Sequence, residues 1–84
     1  MKHCMITFRS VTFAQRAEGV LQRMGYFCTV RRTPKWMEEQ GCGYSLRLRQ
    51  EDIMAAALLL RENGISYRKV YEMTGEGQLE ELRL

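Results

Sequence analysis

The sequence predicts an α+β fold in the order βαββαβ: one four-stranded antiparallel sheet with two helices on one face. Three observations carry that expectation. Short β-branched and aromatic runs alternate with two segments of helical periodicity. Each helical segment closes on a glycine, Gly25 or Gly64, that also opens a strand. The two halves echo one another there, Arg23-Met24-Gly25-Tyr26 matching Glu62-Asn63-Gly64-Ile65.

Residues 3–8, HCMITF, read as the first strand. Ser10 can cap the following helix, its hydroxyl accepting a backbone N–H that would otherwise lack a partner. Phe13, Ala14, Ala17, Val20, Leu21 and Met24 then fall on one helical face, and Gly25 ends the run. Tyr26 to Arg31 reads as a second strand. Residues 32–42, RTPKWMEEQGC, are irregular, because Pro34 cannot donate a ladder hydrogen bond and pushes Thr33 towards extended geometry.

Tyr44 to Arg49 reads as a third strand with strict alternation: Tyr44, Leu46 and Leu48 one way, Ser45, Arg47 and Arg49 the other. Gln50-Glu51-Asp52 open a second helix with acids at its positive end. That helix, through Ile53–Leu60, is apolar nearly all round. The favoured explanation is packing on the first helix and the sheet; the alternative is a homodimer contact through Met54 and Leu58. Ile65 to Met73 supplies the fourth strand. The order of elements is that of a ferredoxin-like sandwich over residues 1–74. Residues 75–84 remain as a C-terminal tail expected to fray or to form a short helix.

Eighty-four residues make one domain, and 45% hydrophobic with 27% charged residues is the balance of a folded chain. Three scattered cysteines do not make a disulfide framework. His3, Thr7 and Arg9 interrupt any secretory leader, and the longest apolar run has eight residues, too short for a membrane span. The expected compartment is the cytoplasm. Charge is uneven: residues 1–50 carry nine Lys/Arg against three Glu, and residues 51–84 carry four against seven Asp/Glu. An anionic partner on the first half is one reading, a solvated basic surface the other.

Phosphate-loop, dinucleotide and paired-cysteine zinc signatures are absent from the sequence, so no metal or cofactor is expected. His3 reads as a terminal polar residue and Glu38-Glu39 as a solvated turn. Cys4 and Cys28 fall inside predicted strands, where cysteine serves as a small hydrophobe. Cys42 differs. It stands at a loop-to-strand boundary between Gly41 and Gly43, which leave room for the backbone to turn and for the sulfur to be approached. Arg31, Arg32, Lys35 and Arg47 are near in sequence or strand position and would favour its thiolate. A small residue required by a tight turn is the competing explanation.

The segments ITFRSVTFAQRAEGVLQRMGY, TPKWMEEQGCGYSLRL and EDIMAAALLLRENGISYRKVYEM resemble a small bacterial family of selenium/sulfur (Se/S) carrier-like proteins, over about residues 4–73. The resemblance rests on an I-T-F strand, a proline-containing loop, a Cys-Gly-apolar-small-Leu motif and a helix closed by Asn-Gly-Ile. That motif falls on Cys42, Gly43, Tyr44, Ser45 and Leu46. Tyr44 stands where a smaller apolar residue is usual, and the loop keeps only Pro34 where two prolines are common.

The resemblance implies that Cys42 is the carrier residue and Gly43 its structural companion. The implied function is a sulfurtransferase-like carrier, holding a persulfide or perselenide from a donor such as a cysteine desulfurase and passing it to an acceptor protein. By its own chemistry Trp36 is either a docking anchor for the partner or a loop residue folded back over the core. The alternative is a binding module without catalysis, for RNA or phosphate, or a ligand-sensing regulatory dimer. Arg47 and Arg49 on the open sheet face would attract phosphate but offer no base-stacking platform, which argues against nucleic acid.

Overall fold

The computed structural model describes residues 3–32, 43–75 and 78–82. Strand β1 (His3–Phe8) leads into helix α1 (Val11–Arg23). Strands β2 (Cys28–Arg32) and β3 (Tyr44–Arg49) follow. A 3-10 turn (Gln50–Asp52) enters helix α2 (Ile53–Glu62). Strands β4 (Val70–Gly75) and β5 (Gln78–Leu82) complete the chain. All five strands join one antiparallel sheet in the order β2-β3-β1-β4-β5.

The helix boundaries follow from local chemistry. The Ser10 hydroxyl accepts from the Phe13 N–H at 3.4 Å. At the other end Gly25 has φ +89°, and its N–H donates to the Gln22 carbonyl while that of Tyr26 reaches Leu21. Gly64 repeats the arrangement at φ +69°, with Gly64 N–H to Arg61 and Ile65 N–H to Leu60. Both are Schellman closures, in which glycine takes the left-handed position without a Cβ penalty.

These closures also explain why β2 and β4 begin later than the sequence reading expects. Tyr26 and Ile65 spend their N–H groups on the helices they follow, so neither can open a ladder. Ile65, Leu21 and Leu60 are instead buried together in the core. Met24, expected on the buried face of α1, is the helix cap and is 59% exposed.

Among the described residues the sheet has five strands, one more than the four expected. The tail residues Gln78–Leu82 form β5 rather than a frayed end or a helix. Two glutamates make Q-L-E-E-L a poor strand by propensity; pairing with β4 overrides this. The register sets Leu82 opposite Val70, and Leu82 packs at the edge of the core. Glu81, opposite Tyr71, reaches Lys69 Nζ at 3.6 Å.

One sheet face presents Cys4, Ile6, Phe8, Cys28, Leu46, Leu48 and Val70 to Ala14, Ala17 and Leu21 of α1 and to Ile53, Ala56 and Leu60 of α2. The apolar second helix thus packs on α1, as favoured from the sequence. Its other flank leaves Met54 and Leu58 exposed. On the opposite sheet face, Arg47 lies between Met5 and Thr29, and His3 stands opposite Arg49. That face is graded: Ser45 is fully buried, donating to the Arg31 carbonyl at 3.3 Å, Arg47 is half-buried and Arg49 exposed.

Candidate functional site

The strand register decides which charges meet. Tyr44 pairs with Phe8 on one side and Arg32 on the other. Gly43 before β3, Arg9 after β1 and Arg32 at the end of β2 therefore share one end of the sheet. The chain entering β4 joins them. Thr7 N–H donates to the Lys69 carbonyl at 2.8 Å, and Arg68 N–H donates to the Thr7 carbonyl at 2.7 Å. The Thr7 hydroxyl adds a second link, accepting from Lys69 N–H at 3.1 Å and donating to the Lys69 carbonyl at 3.2 Å.

Of the residues singled out in the sequence, Gly43 is buried, Arg31 and Arg32 are exposed at the end of β2, and Arg47 lies inside β3. Cys42, Gly41, Lys35 and Trp36 lie outside the described residues. The described members thus bring Arg31 and Arg32 to the end where Gly43 sits. Arg47 is four positions further along the strand, roughly 13 Å at a strand's rise per residue.

Arg9, Arg68 and Lys69 belong to the same end and were not singled out from the sequence. They border a cavity of about 510 Å³ with Phe13, Ser66 and Tyr67. Arg61 holds the Tyr67 hydroxyl through Nη2 at 2.8 Å and Nε at 3.2 Å, which fixes the ring at the cavity wall. The signal in the sequence is the pair Phe8-Arg9 and Tyr67-Arg68-Lys69. It becomes a cluster only once β1 and β4 are known to be antiparallel neighbours.

The other two thiols are sealed and electrostatically disfavoured as nucleophiles. Cys28 is 4% exposed; burial first, then the negative charge of Glu18, pushes its pKa up to about 11. Its Sγ donates to the Glu18 carbonyl at 3.9 Å, and the Glu18 carboxylate accepts from Val30 N–H at 3.0 Å. Cys4 is fully buried, and burial followed by Glu72 raises its pKa too. Only a thiolate attacks sulfur, so both are unsuited to group transfer at neutral pH. The reading of Cys4 and Cys28 as small buried hydrophobes holds.

No helix among the described residues is long and apolar enough to cross a membrane. No curated protein matches the chain. The model of one protein family, described as "Putative Se/S carrier protein-like", matches residues 3–72, from the first residue of β1 into β4 and across Cys42. That span covers α1, α2 and the strands from β1 to β3, and the chain belongs to this Se/S carrier protein-like family.

Proposed function

We propose that the protein carries sulfane sulfur, or selenium in its place, on Cys42. The family match over residues 3–72 carries this reading. The chemistry of the remaining thiols supports it, because Cys4 and Cys28 are buried with raised pKa values and Cys42 is the third of three cysteines.

Loading has the form of thiol–disulfide exchange. The Cys42 thiolate attacks the terminal sulfur of a donor persulfide, R–S–SH. The donor S–S bond breaks, R–S⁻ leaves, and Cys42–S–SH forms. Delivery is the same exchange with an acceptor thiolate, which regenerates the Cys42 thiolate. Neither step needs an external oxidant or reductant. Arg31, Arg32 and Lys35 supply positive potential that favours the thiolate, whereas Arg47, roughly 13 Å further along β3 than Gly43, is screened from it. Arg9 and Arg68 extend that potential over the same sheet end, where Lys69 is paired with Glu81, and suit an acidic donor surface, such as that of a cysteine desulfurase. Trp36 is the partner anchor in this reading. The strand order β2-β3-β1-β4 fits a ferredoxin-like sandwich extended at one edge by β5.

The test is intact mass after incubation with a cysteine desulfurase and cysteine. The wild type should gain about 32 Da, the mass of one sulfur atom, reversed by a thiol reductant. Cys42→Ser should gain nothing, while Cys4→Ala and Cys28→Ala should load as the wild type does. An equal gain on Cys42→Ser, or none on the wild type, overturns the assignment. Selenocysteine supplied to the desulfurase in place of cysteine delivers selenium at the same oxidation level, and the mass gained decides which chalcogen is preferred.

A further inference from the structure

The opposite end of the sheet holds a second cavity, of about 260 Å³, bordered by His3, Phe27, Thr29, Arg47, Leu48 and Arg49. Three features set it apart from an ordinary surface crease. The Nε of Arg47 is buried and has no hydrogen-bond partner among the described residues. Guanidinium groups are donors only, so a buried one without an acceptor is costly and calls for an anion or another acceptor. Phe27 is 81% exposed, although it is a large aromatic residue with buried neighbours available one residue away. His3, which the sequence reading left as a terminal polar residue, lies in β1 opposite Arg49 and is part of the wall.

The charges on the two arginines are not equivalent. Arg49 is already engaged, its Nη1 3.1 Å from Glu51 Oε1 and its Nε 3.3 Å from Asp52 Oδ2. Arg47 is flanked across the sheet by Met5 and Thr29, neither of which carries charge. Among the described residues the cavity therefore offers one cation without a charged partner, beside a mainly apolar wall that includes Phe27. Its volume suits a body of one ring or a short branched chain rather than a nucleotide or a peptide.

We propose that this cavity binds a small monocarboxylate with an aromatic or branched apolar body. The carboxylate accepts from Arg47 Nε–H, the Thr29 hydroxyl and His3 lie beside it, and the body rests against Phe27. This site is independent of sulfur carriage on Cys42. It makes the domain a binder of a small metabolite as well as a member of a carrier family. RNA and free phosphate are poorer occupants, because an apolar wall returns nothing to a fully polar anion.

Phenylacetate is the probe, titrated into the ¹⁵N-labelled protein by NMR, with inorganic phosphate and benzyl alcohol as separate titrations at matched ionic strength. Saturable shifts are expected at Phe27, Thr29, Arg47 Nε and Arg49, with a Kd of about 1 mM or below given roughly ten ligand atoms. Arg47→Met should weaken binding at least tenfold, and it should fold, because it removes an unpaired buried donor. Phe27→Ala, at an exposed position, should weaken phenylacetate several-fold. Cys42→Ser should bind as the wild type does, which separates this result from the carrier assignment. Shifts without saturation to 10 mM, equal binding by Arg47→Met, or phosphate binding as tightly as phenylacetate, overturns the proposal.

Discussion

The two ends of the sheet carry the same kind of charge in opposite environments. At the end shared by Gly43, the cations sit at or just beyond the strand ends: Arg9, Arg32, Arg68 and Lys69. At the other end, Arg47 projects from the middle of β3 with its Nε withdrawn from water. Exposed charges are screened within about 8 Å at physiological salt, so their strength lies in summed potential acting on an approaching surface. A withdrawn charge is screened far less and acts on one group at contact range. The first environment suits guidance of a protein partner, the second recognition of a small ligand.

The largest expected effect comes from reversing the first set. Arg9→Glu combined with Arg68→Glu should slow loading by the donor by roughly ten- to a hundredfold at low ionic strength, a range typical for reversing a steering patch. The deficit should shrink several-fold at 0.5 M salt. Arg47→Met should load at the wild-type rate under both conditions. Stopped-flow or quenched-flow mass measurement reads the rates. If Arg47→Met slows loading as much as the double reversal does, the two ends act as one electrostatic unit and the contrast between them fails.

A smaller effect tests the withdrawn charge directly. Replacing a half-buried arginine whose Nε is buried without a partner by an apolar side chain of similar length removes the cost of that unmet donor. Arg47→Met should therefore raise stability by about 1 kcal/mol, seen as a higher urea midpoint at unchanged slope. Arg32→Met, at an exposed strand end, should stay within about 0.5 kcal/mol of the wild type. Phenylacetate should stabilise the wild type and leave Arg47→Met unmoved. A destabilised Arg47→Met would mean that packing of the arginine stem outweighs its unsatisfied head.

What the sequence could and could not disclose follows the same division between local and register-dependent information. Ser10, Gly25 and Gly64 act on their own helices, so the caps were legible. Alternation in Tyr44–Arg49 was legible because neighbouring side chains in a strand must face opposite ways. The Cys42-Gly43 motif and its flanking segments were enough to indicate the family that the match over residues 3–72 supports. Strand β5 was not legible, since Glu80 and Glu81 disfavour a strand until β4 offers a partner. Nor were the two charge clusters, because Arg9 comes to share a cavity with Lys69, and His3 to stand opposite Arg49, only across strand pairs far apart in sequence.

The smallest expected effect concerns the thiol nearest the second cavity. Cys28 contributes to that cavity's wall while its side chain is buried against α1, where Glu18 lies close. Its folded pKa of about 11 stands above the unfolded value near 9. A group with a raised folded pKa binds its proton more tightly in the native state. The resulting stability is fully present below pH 9 and is lost as pH rises through 11, because the unfolded chain ionises first. The urea midpoint of the wild type should fall between pH 9 and 11, and Cys28→Ala should lose part of that slope while folding less stably at pH 7. Cys4 has a raised pKa as well, so some slope should persist until Cys4→Ala is added. Burial is the leading cause at Cys28 and Glu18 the second; Glu18→Gln should therefore reduce the slope without abolishing it. An unchanged slope in Cys28→Ala would show that this sulfur is open to water.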